Sequence, residues 1–524
     1  MKLPVVLILT FLSGLLLAGT PPPAQPFKPT WQSLESQYQT PAWFRDAKFG
    51  IWAHWSAQSQ PEQGDWYARN LYLQGSHDYE YQVAHYGHPT KAGFKEVIHE
   101  WRAEHFDPEK LLAFYQANGA KYFMALAVHC DNFDNYNSKY QPWNSVKLGP
   151  HRDLIGAWSA AAHKLGLRFG VSVHDGGWSW RWYEVAQRAD TNGPLAGVPY
   201  DGKLTKADGH GLWWDGLDPQ DLYAQNHSPG APPDAAYCEK FCRRTTQLWD
   251  DYRPDLIYFD ENALPLHRLG APDAYGLGLY AHFYNTSLAW HGTNEAVITA
   301  KMLNPGQRQG LVYDIERGKT ADILPQPWQT DTCLGDWHYS RSLFEKHQYK
   351  TAAMVIPMLV DIVSKNGNLM LSVPVRADGT IDTDEQKIIA EIGAWLKVNG
   401  PAIYGTRPWQ IYGEGPATTE TAEKGGFDGV KDVRSKPYTA QDIRFTQSKD
   451  GSALFAVVLA FPAGGKITIQ SLAERSPHWP GSIGRVQLLG DSSKLRFTRD
   501  QNGLHVTMPS HKPCAIAFAL KITK

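Results

Sequence analysis

Arg253-Pro-Asp-Leu-Ile-Tyr-Phe-Asp260 is an apolar run that ends on a carboxylate, and Gly310-Leu-Val-Tyr-Asp-Ile-Glu316 repeats the pattern further along. Each is entered from Pro or Gly and is rich in branched and aromatic side chains, so each reads as a buried parallel strand. The acid then stands at the strand's C-terminal mouth, where the loops of barrels and open α/β sheets converge on one face. Two carboxylates on two such strands can therefore share a pocket. Such a pair is the minimal equipment for breaking a glycosidic bond: one acid attacks or stabilises the anomeric carbon and the other protonates the departing oxygen.

Working outward, five more strands are legible: Lys48 to Trp55, Ala120 to Val128, Arg168 to His174, Ala296 to Lys301 and Asn368 to Val373. Helical patterns lie between them. Asp107-Pro108 opens one, and others run over 154–165, 235–252 and 350–363. A further helix over 382–397 is closed by Asn399-Gly400-Pro401. Strand-helix alternation of this length predicts a (β/α)8-like TIM barrel catalytic domain over 28–402. Beyond 403 the pattern becomes short alternating segments: Ile443-Arg-Phe-Thr, Ala453 to Leu459, Lys466-Ile-Thr-Ile, Val486-Gln-Leu-Leu and Ala515 to Leu520. They predict an antiparallel β-sandwich over 403–524, with 417–438 as a polar, exposed loop.

A chain of 524 residues suits one large domain and one smaller one. The net charge of −2, with no block of like charge, gives no footprint for nucleic acid or an anionic membrane and points to a neutral partner. The 20 Trp and 25 Tyr provide flat faces of the kind that stack on sugars, although packing uses aromatics too and composition does not separate the two roles. Lys2, the apolar run Leu3 to Ala18 and the following Pro21-Pro-Pro read as a signal peptide over 1–20, hence a periplasmic or secreted protein with no membrane anchor after cleavage. Five scattered cysteines form no disulfide framework, and Cys238 and Cys242, one helical turn apart, read as buried thiols.

His54, His129 and His174 each end an apolar run, so all three can face the pocket. Their spacing is not that of a zinc site, and no metal or cofactor is expected; imidazoles here suit sugar hydroxyls, which both donate and accept. Gly64-Asp-Trp66 and Pro327-Trp-Gln-Thr-Asp331 read as loops. They offer Trp66 and Trp328 for stacking, or for packing the rim, and Asp65 for holding hydroxyls.

Five ordered motifs together resemble glycoside hydrolase family 29, the α-L-fucosidases. They are Ala42 to Trp55, Leu126 to Asp134 with Tyr140-Gln-Pro-Trp-Asn-Ser145, Pro254 to Asp260, Leu359 to Val373, and Gly400 to Trp409. The resemblance covers about residues 35 to 410 and implies a barrel followed by a sandwich. It further implies Asp260 as nucleophile, Tyr258 as a pocket aromatic, and His54 and His129 as sugar-binding residues. Glu316 best matches the acid/base, with Asp314 and Glu261 as rivals. Several positions depart from the family pattern: Cys130 replaces a second His, Asp65 stands for a Glu, Glu261 follows the nucleophile where Gly is common, and Lys301 stands in for an arginine.

The resemblance implies a retaining exo-glycoside hydrolase that releases terminal α-L-fucose from an oligosaccharide or glycoconjugate. The departures fall where hydroxyls would be read, so a glycosidase for α-L-galactosides or another fucose-like sugar is the alternative. A carbohydrate-binding protein without activity is the alternative of another class, and the presence of Asp260 argues against it.

Overall fold

Eight parallel strands close into a barrel in chain order. They are β1 (Phe49–Ala53), β2 (Tyr122–Val128), β3 (Arg168–Val173), β4 (Leu256–Phe259), β5 (Val297–Ala300), β6 (Val312–Glu316), β7 (Trp328–Cys333) and β8 (Gly367–Ser372). Pairing of Phe49 with Leu369 and of Trp52 with Ser372 seals β8 against β1. This computed structural model describes residues 25–225, 227–419, 430–431, 433–434 and 436–524; the signal expected over 1–20 lies outside them.

Six of the eight strands fall within the apolar runs read from sequence, β8 begins one residue before its run, and β7 matches none. Trp328-Gln-Thr-Asp-Thr-Cys333 is buried throughout yet mostly polar. The barrel interior at this level is a hydrogen-bonded network rather than an oily core. Gln329 Nε2 donates to Asp314 Oδ2 at 2.6 Å, the Tyr122 hydroxyl donates to Gln329 Oε1 at 3.0 Å, and the Tyr258 hydroxyl donates to Asp331 Oδ2 at 3.1 Å. Partners inside the barrel remove the penalty for burying these groups, which is why a hydrophobicity pattern misses the strand.

The helices cover the barrel as the sequence indicates. Pro108–Ala117 is capped by the Asp107 side chain, which accepts from Lys110 N at 3.0 Å. Thr383–Asn399 begins with a capping box between Asp382 and Glu385. Ala274–His291, between β4 and β5, was not legible because apolar residues surround it; it buries Tyr280, Phe283 and Tyr284 and stacks Phe283 on Trp249 of Ala235–Tyr252.

After the barrel, a five-stranded antiparallel sheet runs in the order Arg407–Glu414, Ile443–Gln447, Leu454–Val458, Phe518–Thr523, Arg485–Leu488. It shares one apolar core with a three-stranded sheet of Lys466–Ile469, Gly503–Thr507 and Arg496–Asp500. The last strand begins three residues later than the sequence pattern suggests. Ala517 has φ 34° and its carbonyl accepts the Trp395 Nε1 proton, so this stretch docks on the helix Thr383–Asn399 before pairing begins. Part of the expected loop is also ordered: Val430–Lys431 pairs antiparallel with Gly318–Lys319, just past β6.

Candidate active site

Strand register alone assembles the mouth of the barrel. Val173 pairs with Phe259, so the next residue on each strand, His174 and Asp260, emerge side by side. Tyr258 pairs with Thr299, which brings Lys301 beside Asp260. Glu316 pairs with Asp331. Six consecutive strands thus deliver His54, His129, His174, Asp260, Lys301 and Glu316 to one cavity of about 150 Å³, walled by Trp52, Trp66, Trp178 and Trp337.

Lys301 is the hub. Its Nζ lies 2.5 Å from Asp260 Oδ1 and also contacts Glu316 Oε2. One ammonium reaching both acids limits the separation of those two oxygens to two hydrogen-bond lengths, about 5 Å. The carboxyls are 23% and 21% exposed, so both open to the cavity.

The two acids are held in opposite states. Burial would raise the pKa of Asp260, but the Lys301 ammonium, aided by His174 at 3.3 Å from Oδ2, overrides it and holds the carboxyl well below the usual range. For Glu316, burial outweighs the same ammonium, Asp331 and Asp260 add repulsion, and the pKa is raised. Lys301 is itself raised: burial opposes its charge, and Asp260, Glu316 and Asp331 more than compensate.

The three histidines are buried and held neutral. Burial pushes His54 and His129 well below their ordinary value and His174 below it too, although Asp260 opposes the last shift. The Gln58 amide donates to His129 Nδ1 at 2.6 Å while also donating to Asp131 Oδ2 at 3.0 Å, which puts the His129 ring proton on Nε2. His174 Nδ1 faces Asp260 Oδ2, whereas His54 Nδ1 and His174 Nε2 lack a hydrogen-bond partner and are left for hydroxyls of a guest. The ligand atoms of the three rings lie within 4.8 Å of one another, the one such group of metal-ligating side chains among the described residues.

Two residues read as sugar contacts lie elsewhere. Trp328 stands at the start of β7, at the far end of the barrel from the mouth. It is fully buried, its Nε1 donates to Lys365 O at 2.8 Å, and it occupies space that a side chain at Gly367 would need. Asp65 accepts the backbone N–H groups of Trp337 at 3.1 Å and His338 at 2.8 Å, so it fixes the loop after β7 rather than opening to the cavity. Trp66, 42% exposed with φ 70°, does line the cavity beside Trp178 and Trp182.

The rival acids are also set apart. Asp314 is buried below the cavity, against Gln329. Glu261, lifted to about 8 by burial, turns toward Gly177 N, 2.5 Å away. Cys130 lines the cavity as a buried thiol, its pKa pushed well above the usual value by burial. Sequence reasoning missed Trp52, Trp178, Trp337 and Asp331 as cavity residues. Recognition of β7 as a strand would have found the last two, since one is in it and the other follows it.

Comparison with known proteins agrees with this geometry. Residues 16–401 match the model described as Alpha-L-fucosidase, and 436–523 match the Alpha-L-fucosidase C-terminal domain. The chain is 26% identical to human tissue alpha-L-fucosidase over 531 residues, covering 99% of this chain and 96% of that protein. The Thermotoga maritima alpha-fucosidase in complex with fucose superposes with a TM-score of 0.69 at 25% identity, over 94% of this chain and 99% of the other. The same enzyme in complex with a mechanism-based inhibitor gives a TM-score of 0.70 at 25% identity, over 95% and 100%. With a model matching most of its length and relatives aligned from end to end, the chain belongs to the alpha-L-fucosidase family of glycoside hydrolases.

Proposed function

We propose that this chain is a retaining exo-glycoside hydrolase that removes terminal α-L-fucose from oligosaccharides or glycoconjugates. The observation that carries it is the contact of one ammonium, Lys301 Nζ, with both Asp260 and Glu316. An upper limit of about 5 Å on the gap between the two contacted oxygens suits the retaining geometry of about 5–5.5 Å, whereas inversion needs about 6.5–9.5 Å to admit a water. Asp260, kept ionised, attacks the anomeric carbon. Glu316, kept protonated, gives its proton to the leaving oxygen, then takes one from the water that cleaves the glycosyl-enzyme. His54, His129 and His174 bind ring hydroxyls, and the four tryptophans pack the apolar face of the sugar and exclude bulk water.

The proposal extends to export and domain limits. Residues 1–20 act as a signal peptide that sends the protein to the periplasm or outside the cell, and the catalytic unit ends near 402. Among the described residues no helix is long and apolar enough to cross a membrane.

The test is hydrolysis of aryl α-L-fucosides followed by ¹H NMR. The first product should be the α-anomer, and Glu316→Ala should cut kcat/KM by about 10²–10⁴ for a phenyl leaving group but far less for 2,4-dinitrophenyl. A β-anomer as first product, or equal losses for both substrates, would overturn the assignment. Preference for aryl α-L-galactoside over α-L-fucoside would replace the sugar and leave the chemistry.

A further inference from the structure

Below the two carboxyls lies a second pair of acids. Asp331 pairs with Glu316 across β6 and β7, lines the cavity floor and is 1% exposed. Asp314, two residues deeper on β6, has its carboxyl in hydrogen-bonding contact with that of Asp331. Ordinary donors reach one oxygen of each: Gln329 Nε2 serves Asp314 Oδ2 and the Tyr258 hydroxyl serves Asp331 Oδ2. Asp314 Oδ1 and Asp331 Oδ1 are left without one. Two contacting carboxylates in so dry a place do not both ionise, and a single proton between them satisfies both oxygens. Burial first, and Asp331 second, raise the proton affinity of Asp314, so Asp314 holds the proton of the pair.

We infer that Asp331, fixed by the Tyr258 hydroxyl and paired in register with Glu316, is a positioning residue that sets an acidic group beside Glu316 at the cavity floor and so favours the protonated form of that acid between turnovers, a role that rests on the function proposed above. Lys301 alone would favour the ionised form of both acids it touches. That suits Asp260 and would disarm Glu316. A second anion on the Glu316 side offsets the ammonium where the proton must stay. The groups facing Glu316 are Lys301 after β5, Tyr258 and Asp260 at the end of β4, Asp331 from β7 and the adjoining Arg317. During glycosylation the bond from Asp260 to the anomeric carbon forms as the glycosidic bond breaks, and the Glu316 proton goes to the leaving oxygen. The negative charge moves from Asp260 to Glu316, and Lys301 touches both acids throughout.

The test is the alkaline limb of kcat/KM against pH for full-length wild type, Asp331→Asn and Asp314→Asn, on phenyl and 2,4-dinitrophenyl α-L-fucosides. Glu316 works as an acid, so activity falls as pH rises through its pKa, and removal of the Asp331 charge lowers that pKa. Asp331→Asn should therefore move the limb down by about one pH unit for the phenyl substrate and leave the activated one far less affected. Asp314→Asn replaces a neutral acid with an amide that still donates to Asp331, so its limb should stay within about 0.3 of wild type. Should Asp331→Asn not fold, Asp331→Ser carries the same expectation. An unmoved limb in the Asp331 variant, or an equal shift in Asp314→Asn, would overturn the inference. Wild type inactive on every α-L-fucoside, or a Glu316→Ala loss equal for both leaving groups, would instead unseat the proposed function.

Discussion

At the mouth of β5 a lysine stands between two acids that need opposite protonation states. Lys301→Met keeps most of the buried stem and removes the charge. Burial then acts on Asp260 with only His174 to oppose it, and its pKa rises. In the proposed mechanism Asp260 works as an anion, so activity is lost as pH falls through that pKa. The acid limb of kcat/KM should move up by about 1–3 pH units, and a limb that stays in place would assign the low pKa to another source. Asp260 and Glu316 were legible in the sequence because each closes an apolar strand, and the three histidines for the same reason. The partners that separate the two pKa values were less so: Lys301 entered only as a stand-in for the arginine that the family resemblance implies, whereas the influence of Asp331 depends on a cross-strand register that no local pattern contains.

One element, β7, accounts for most of what sequence left hidden. Its polar side chains are satisfied inside the barrel, so the alternation that marks a strand is absent, and Trp328 reads in sequence as a loop aromatic. The loop that follows carries Trp337 to the cavity, and Asp65 pins it through two backbone N–H groups. Asp65→Ala leaves those donors without an acceptor, at about 1–3 kcal/mol, and lets the Trp337 wall drift. KM for an aryl α-L-fucoside should rise about tenfold with a smaller change in kcat, because the chemistry proposed for Asp260 and Glu316 is untouched. A fall in kcat with KM unchanged would show that Asp65 acts on the reaction itself.

Barrel and sandwich are joined by a buried ion cluster. Asp361, on the helix Ala352–Ser364, accepts from Arg444 Nε of the sandwich at 2.5 Å and from Lys365 Nζ at 2.9 Å, with Lys319 Nζ at 3.3 Å. Burial would raise the Asp361 pKa, and the three cations hold it well below the ordinary carboxylate value. Its contribution is therefore complete above the unfolded-state pKa of about 4 and disappears as pH falls through the lower folded value. Asp361→Asn strands buried cations and should cost about 3–5 kcal/mol in denaturant unfolding at neutral pH, with a smaller cost at strongly acid pH. A neutral substitution would mean the two parts are held by apolar packing alone. The change from barrel to sandwich was plain in the sequence as a switch of period, but Asp361 and Arg444 lie far apart in the chain and each reads locally as an ordinary helix or strand residue. The central claim, that Asp260 attacks the sugar across a cavity it shares with Glu316, is tested most directly by trapping the full-length enzyme with an activated 2-fluoro-fucoside and mapping the modified peptide by mass spectrometry. The expected result is one fluorofucosyl group per chain, attached to Asp260. Attachment to another residue, or steady release of inverted sugar with no attachment, would contradict it.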